Sequence, residues 1–118
     1  MDESVSKPAD TEIQDAIRRW MQHLDSTLTA AMPEAEITTR MSPLARDSAW
    51  IPYGGTGRHS RLFLIDDYVQ VRFDFDAGER LVSYSVYERK NAWLKSPDGT
   101  LLSGSDAPDA ELRFPSQP

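Results

Sequence analysis

The chain contains no cysteine. Disulfides, zinc–thiolate centres, iron–sulfur clusters and thiol nucleophiles are excluded together. Histidine is scarce too: only His23 and His59 are present. A histidine metal site or acid–base pair therefore has little to draw on. No apolar run approaches the roughly 20 residues that span a bilayer. The opening stretch MDESVSKPAD lacks the apolar core of a signal peptide. A cytoplasmic location and no membrane association are the resulting expectations. Positive charge is in short supply: 13 Lys and Arg stand against 19 Asp and Glu, for a net charge of −6. That balance argues against nucleic acid as a partner, because nonspecific binding needs a cationic footprint. Most of the basic residues are arginine, which suits carboxylate or phosphate contacts. A GC-rich coding genome produces the same bias.

What is present fits one domain. A chain of 118 residues holds one core and not two. Hydrophobic residues make up 39% and the mean hydropathy is −0.55, as for a normal core diluted by polar tails. Residues 1–9 are charged and small and read as a disordered tail. Residues 10–103 form the domain. Residues 104–118, rich in Ser, Asp and Pro, read as a second disordered tail. Leu112 and Phe114 are its only large apolar residues, and they are candidates for a short docking motif.

The strongest pattern lies in Arg61–Glu88. Val69, Val71, Phe73 and Phe75 alternate with Gln70, Arg72, Asp74 and Asp76, the period of a strand with one buried face. The alternation resumes with Val82, Tyr84 and Val86 after the turn residues Asp76–Glu79. The two runs predict an antiparallel hairpin. Leu62–Ile65 is apolar on both faces, and Asp66-Asp67 turns it into Tyr68, completing a three-stranded meander. Leu81 and Tyr87 are assigned to the face opposite Val82, Tyr84 and Val86.

Upstream, Ile13, Ala16, Ile17, Trp20, Leu24, Leu28 and Ala31 recur at three- and four-residue steps. They predict one helix from about Asp10 to Ala31, stopped by Pro33. Ile37, Thr39 and Met41 alternate with Glu36, Thr38 and Arg40 and predict a first strand. Ser42–Ser60 is a long irregular connection with a short strand around Ala49–Ile51. Ser96-Pro97-Asp98-Gly99 is a turn that predicts a terminal hairpin. The expected fold is α+β: one long N-terminal helix packed across an antiparallel sheet of about five strands. This order of elements is similar to that of cystatin-like folds, an analogy of architecture that carries no function.

Four constellations bear on chemistry. Gly54–Arg61 brings Gly55, Gly57, Arg58, His59 and Arg61 together, and glycine amides with nearby cations can cradle an anion. It lacks the ending of a phosphate loop, and a strand follows where a helix would be needed. A flexible connector is the competing reading. Asp74, Asp76, Gly78 and Glu79 resemble the start of a calcium loop. Glycine replaces the third ligand, Ser85 stands where the bidentate glutamate belongs, and Arg80 would repel a cation. The expectation is no metal, no cofactor and no catalytic residue, since nothing places the histidines together and no serine sits in a nucleophile elbow. The aromatics Trp50, Tyr53, Phe63, Tyr87 and Trp93 lie off the core stripe. They either pack under the long loop or form a partner-binding patch. The leading functional expectation is a non-enzymatic module binding a protein partner or a second copy of itself, through the second sheet face and the 42–60 loop. The alternative is a small-ligand protein or modest enzyme with an anion site at Gly54–Arg61.

Overall fold

The computed structural model describes residues 8–104 and 110–117. The first helix, α1 (Asp10–Thr27), starts where acidic residues face the positive helix end. Glu12 reaches back to accept the Ala9 amide at 3.1 Å, half of a capping box. The helix ends at Thr27, one turn short of the expected Ala31. Ser26 and Thr27 donate their hydroxyls to the His23 carbonyl, each at 2.9 Å, and such local bonds compete with helix propagation. Leu28–Met32 then turns, with Ala31 left-handed at φ 64°.

Glu36–Met41 is helical, which corrects the expected strand. It belongs to α2 (Glu34–Met41). Ile37 and Met41 are buried and Thr39 is exposed. A two-residue and a four-residue period both put Ile37 and Met41 on one side, so Thr39 alone separated the two readings. The i,i+4 pair Glu36–Arg40 at 2.6 Å and glutamates in the first turn support the helix. A 3-10 turn (Ser42–Leu44) leads into the sheet.

The sheet is an antiparallel meander in chain order: β1 (Asp47–Pro52), β2 (His59–Leu64), β3 (Val69–Phe75) and β4 (Leu81–Glu88). The short strand expected near Ala49–Ile51 is thus the full strand β1. A small hairpin of β5 (Leu94–Lys95) and β6 (Leu101–Ser103) stands apart as a second sheet. The fold is α+β, with the long helix ahead of the strands. Among the described residues, no helix is long and apolar enough to cross a membrane.

On one face, α1 and α2 cover Phe63, Val69, Val71, Phe73, Phe75, Tyr84 and Val86 with Ile13, Ile17, Leu24, Leu28, Ile37 and Met41. Rings run across the strands: Phe63 and Phe73 are 5.8 Å apart, and Phe73 and Tyr84 6.4 Å. One residue breaks the expected alternation. Pairing steps from Asp74↔Ser83 to Phe75↔Leu81, leaving Val82 as the extra residue of a bulge. Leu81 therefore joins the helix-side core, and Val82 is only half-buried. That reverses their assignment from alternation.

The opposite face is covered in part by the terminal hairpin. Trp50 donates its amide to the Gly99 carbonyl at 3.1 Å, and Lys95 reaches Asp47 at 2.6 Å. Leu101 and Trp93 then lie against Ala49, Ile51 and Leu62. Gly104 closes the hairpin at φ 104°; a Cβ there would sit 2.5 Å from the Ala92 carbonyl oxygen.

The expectation of a disordered N-terminal tail falls mostly on residues 1–7, outside the described residues. For the C-terminal tail, 105–109 and 118 lie outside them too, but 110–117 rests against the body. Arg113 forms an antiparallel bridge with Tyr84, and Ser116 a parallel one with Thr29.

Candidate functional site

Register divides the sequence-predicted site residues between the two faces. His59 pairs with Phe75 and Arg61 with Phe73, so both point to the helix side. Ser60 pairs with Asp74 and Leu62 with Arg72, so these point the other way.

On the helix side, Glu34 takes up two of the three expected anion-binding cations, His59 and Arg61. Its Oε1 lies 2.8 Å from His59 Nε2, and Arg61 Nε donates to Oε2. Glu34 is buried and anchored through its amide to the Glu79 carbonyl at 2.9 Å. The His59 ring stacks on Phe75 at 5.4 Å, with Trp50 edge-on at 6.4 Å. A buried carboxylate satisfied by two basic groups is a structural clamp. Glu34 carries no mark in the sequence, because its partners lie up to 27 residues along the chain. The residues expected to form one anion site are therefore divided. His59 and Arg61 face a carboxylate, and only Arg58 is left to meet a ligand. A Cβ at Gly54 or Gly55 would meet no atom within 4 Å, although Gly55 is left-handed at φ 80°; Gly57 is left-handed at φ 76° and also close to Ala77.

On the other side a polar network fills the space. Asp74 accepts from Ser60, from Ser83 at 2.9 Å and from Arg72 Nε at 2.9 Å. Tyr53 shares a 2.9 Å bond with Ser60 and also accepts from Arg72. Burial is the largest single influence on Arg72 and opposes its charge, but the bond to Asp74 and the charge of Asp74, with Tyr53 and Tyr87, together raise the guanidinium above its ordinary value. Asp76, the second aspartate of the calcium-like stretch, accepts the amides of Gly78 at 2.9 Å and Arg80 at 3.0 Å and so builds its own turn. Among the described residues, no group of three His, Asp or Glu is placed to hold a metal ion.

Of the five aromatics expected off the core stripe, Phe63 lies instead in the helix-side core, and the other four have different fates. Trp93 packs into the second-face cluster and donates its indole N–H to Gln70. Tyr87 is buried opposite Gln70, and that burial raises its hydroxyl above the ordinary range. Trp50 is half-buried beside His59. Only Tyr53, at 38% exposure, remains on the surface. It lines an open cleft of about 390 Å³ together with Arg58, His59, Arg72, Phe75 and Leu112 among others. This cleft includes the part of the second face that the hairpin leaves uncovered and extends to His59 and Phe75 at the end of the sheet.

The chain matches no family model, no curated protein and no solved structure.

Proposed function

We propose that this protein is a non-enzymatic interaction module, and that the open half of its second sheet face receives a carboxylate-bearing segment of a protein partner. The observation that carries this reading is Arg58. Its guanidinium lines the cleft, is exposed, and makes no ion pair among the described residues. Tyr53 adds a flat, half-apolar surface next to it, and aromatic and arginine side chains together are favoured at protein interfaces. The polar residues of the floor support binding more than catalysis. Ser60 has no exposed surface and donates to Asp74, while His59, which also lines the cleft, is engaged by Glu34. A nucleophile needs a base within reach.

The test is capture of partners by the tagged chain, with mass spectrometry, repeated with Arg58→Glu. The expected result is a stoichiometric partner that the charge reversal abolishes while the melting temperature stays put. A partner retained by Arg58→Glu would remove this cleft from the reading. A wild-type chain that is dimeric by light scattering, and monomeric as Arg58→Glu, would make a second copy the partner.

The cleft volume also admits a small carboxylate or phosphate ligand, with Arg58 as its one unengaged cation. Thermal shift against phosphorylated and carboxylated metabolites separates this second reading: it requires a specific stabilisation that Arg58→Ala removes.

A further inference from the structure

Residues 110–117 occupy the outer edge of β4 in a way that describes a ligand. The Tyr84 amide donates to the Arg113 carbonyl at 2.9 Å, and the Arg113 amide returns a bond at 2.8 Å. Antiparallel pairing alternates, so the Tyr84 backbone groups point away from β3, and those of Val86 point the same way. The Arg113 guanidinium forks onto Asp25 of α1, with Nε 3.1 Å from Oδ1 and Nη2 on Oδ2. The Tyr84 hydroxyl donates to the same Oδ1. Further along, the Ser116 carbonyl accepts the Ala30 amide at 2.8 Å. The edge thus reads an extended backbone and one arginine.

The present occupant fills this site sparsely. Leu112 and Phe114, which flank the arginine, are 53% and 67% exposed. Of the large apolar side chains in the segment only Pro115 is buried, so the segment is held mainly by polar groups. The Asp25–Arg113 pair is itself partly exposed, and such pairs hold weakly. Pro115 cannot donate a further ladder bond.

We infer that the β4 edge, with Asp25 and Tyr84, is a strand-docking site which the chain's own 110–117 segment fills in the absence of a partner. The partner segment is extended and carries an arginine flanked by apolar residues; it adds a strand to the sheet. A tethered occupant acts at an effective concentration of about millimolar. A competitor must therefore offer more than the tether does, through longer pairing along Val86 and buried flanking side chains. The same segment from a second copy offers neither, which favours a different protein. This site adjoins the Arg58 cleft, which Leu112 of the segment also lines, but it is read through Asp25 and Arg113 and does not depend on Arg58.

A labelled peptide of residues 111–117, ELRFPSQ, tests the site directly. By fluorescence anisotropy it is expected to bind the full chain carrying Arg113→Gln at least about tenfold more tightly than the wild-type chain, whose site is filled. Asp25→Asn added to the Arg113→Gln chain, or Arg113→Gln in the peptide itself, is expected to abolish binding. Should the Arg113→Gln chain not fold, excess peptide on the wild-type chain is expected to shift the Asp25 and Tyr84 amide resonances, and the arginine-free peptide is not. No binding to either chain, or binding indifferent to the arginine, overturns the inference. So does a wild-type dimer that Arg113→Gln converts to monomer, because the occupant would then be a second copy.

Discussion

The two faces of the sheet are buried to similar depth by different chemistry. Under the helices, the least exposed side chains are Phe73, Val71, Phe63 and Tyr84, and nearly everything they touch is apolar. On the far face, Ser60 and Gln70 are as deeply covered and depend on bonds to Asp74, Tyr53 and Trp93. An apolar face is held by area and shape, and it tolerates small shifts. A polar face is held by individual bonds, and each one lost leaves a buried group unsatisfied. The polar face is also the one left half open, because a short hairpin covers less than two helices. Those two properties together put the candidate binding cleft there.

The comparison predicts graded effects. Phe73→Ala should cost about 4 kcal/mol in urea unfolding, the usual range for an aromatic removed from a tight core. Leu62→Ala on the far face should cost about 3 kcal/mol. A larger loss at Leu62 would break the view that the helix-side core dominates. Glu34 is the polar exception on the helix side. Glu34→Gln should cost about 2 kcal/mol, since it leaves His59 and Arg61 without their carboxylate. Trp93→Phe keeps the packing and deletes the bond to Gln70. A loss of about 1 kcal/mol is expected, with faster amide exchange confined to the hairpin.

Below these stands a pH effect on the β4 edge. The Arg113 bond holds the Asp25 carboxyl below its ordinary 3.8, against the opposing effect of burial. A depressed carboxylate contributes stability above its unfolded value, and the contribution is lost as pH falls through the folded one. Protection of the Tyr84 and Arg113 amides should therefore be constant above about pH 4 and should fall below it. Phe73 should keep its protection through the same interval. Smallest of all, Arg58→Glu should change stability by less than about 0.5 kcal/mol, as for an exposed side chain with no partner.

Much of this contrast is legible in the residues. Val69, Val71 and Phe73 alternate so plainly that β3 and its buried face can be read directly. The double-faced run Leu62–Ile65 announces a strand covered on both sides, and Ser96-Pro97-Asp98-Gly99 announces a terminal hairpin. Where two periods coincide, the pattern misleads. Ile37 and Met41 satisfy both strand and helix, so α2 reads as a strand. Val82 and Leu81 exchange faces because a bulge consumes one residue without leaving a mark in the pattern. Glu34 cannot be joined to His59 and Arg61, nor Asp25 to Arg113, because side-chain partners far apart in sequence carry no local signal.

Composition and periodicity alone settle the class of fold, the strong strands and the absence of thiol chemistry, because these are local properties that every conformation shares. Tertiary structure decides which cations are neutralised, which aromatics are covered and where the C-terminal segment rests. Those outcomes depend on strand register and on which surfaces meet, and both are fixed only when the whole core packs at once.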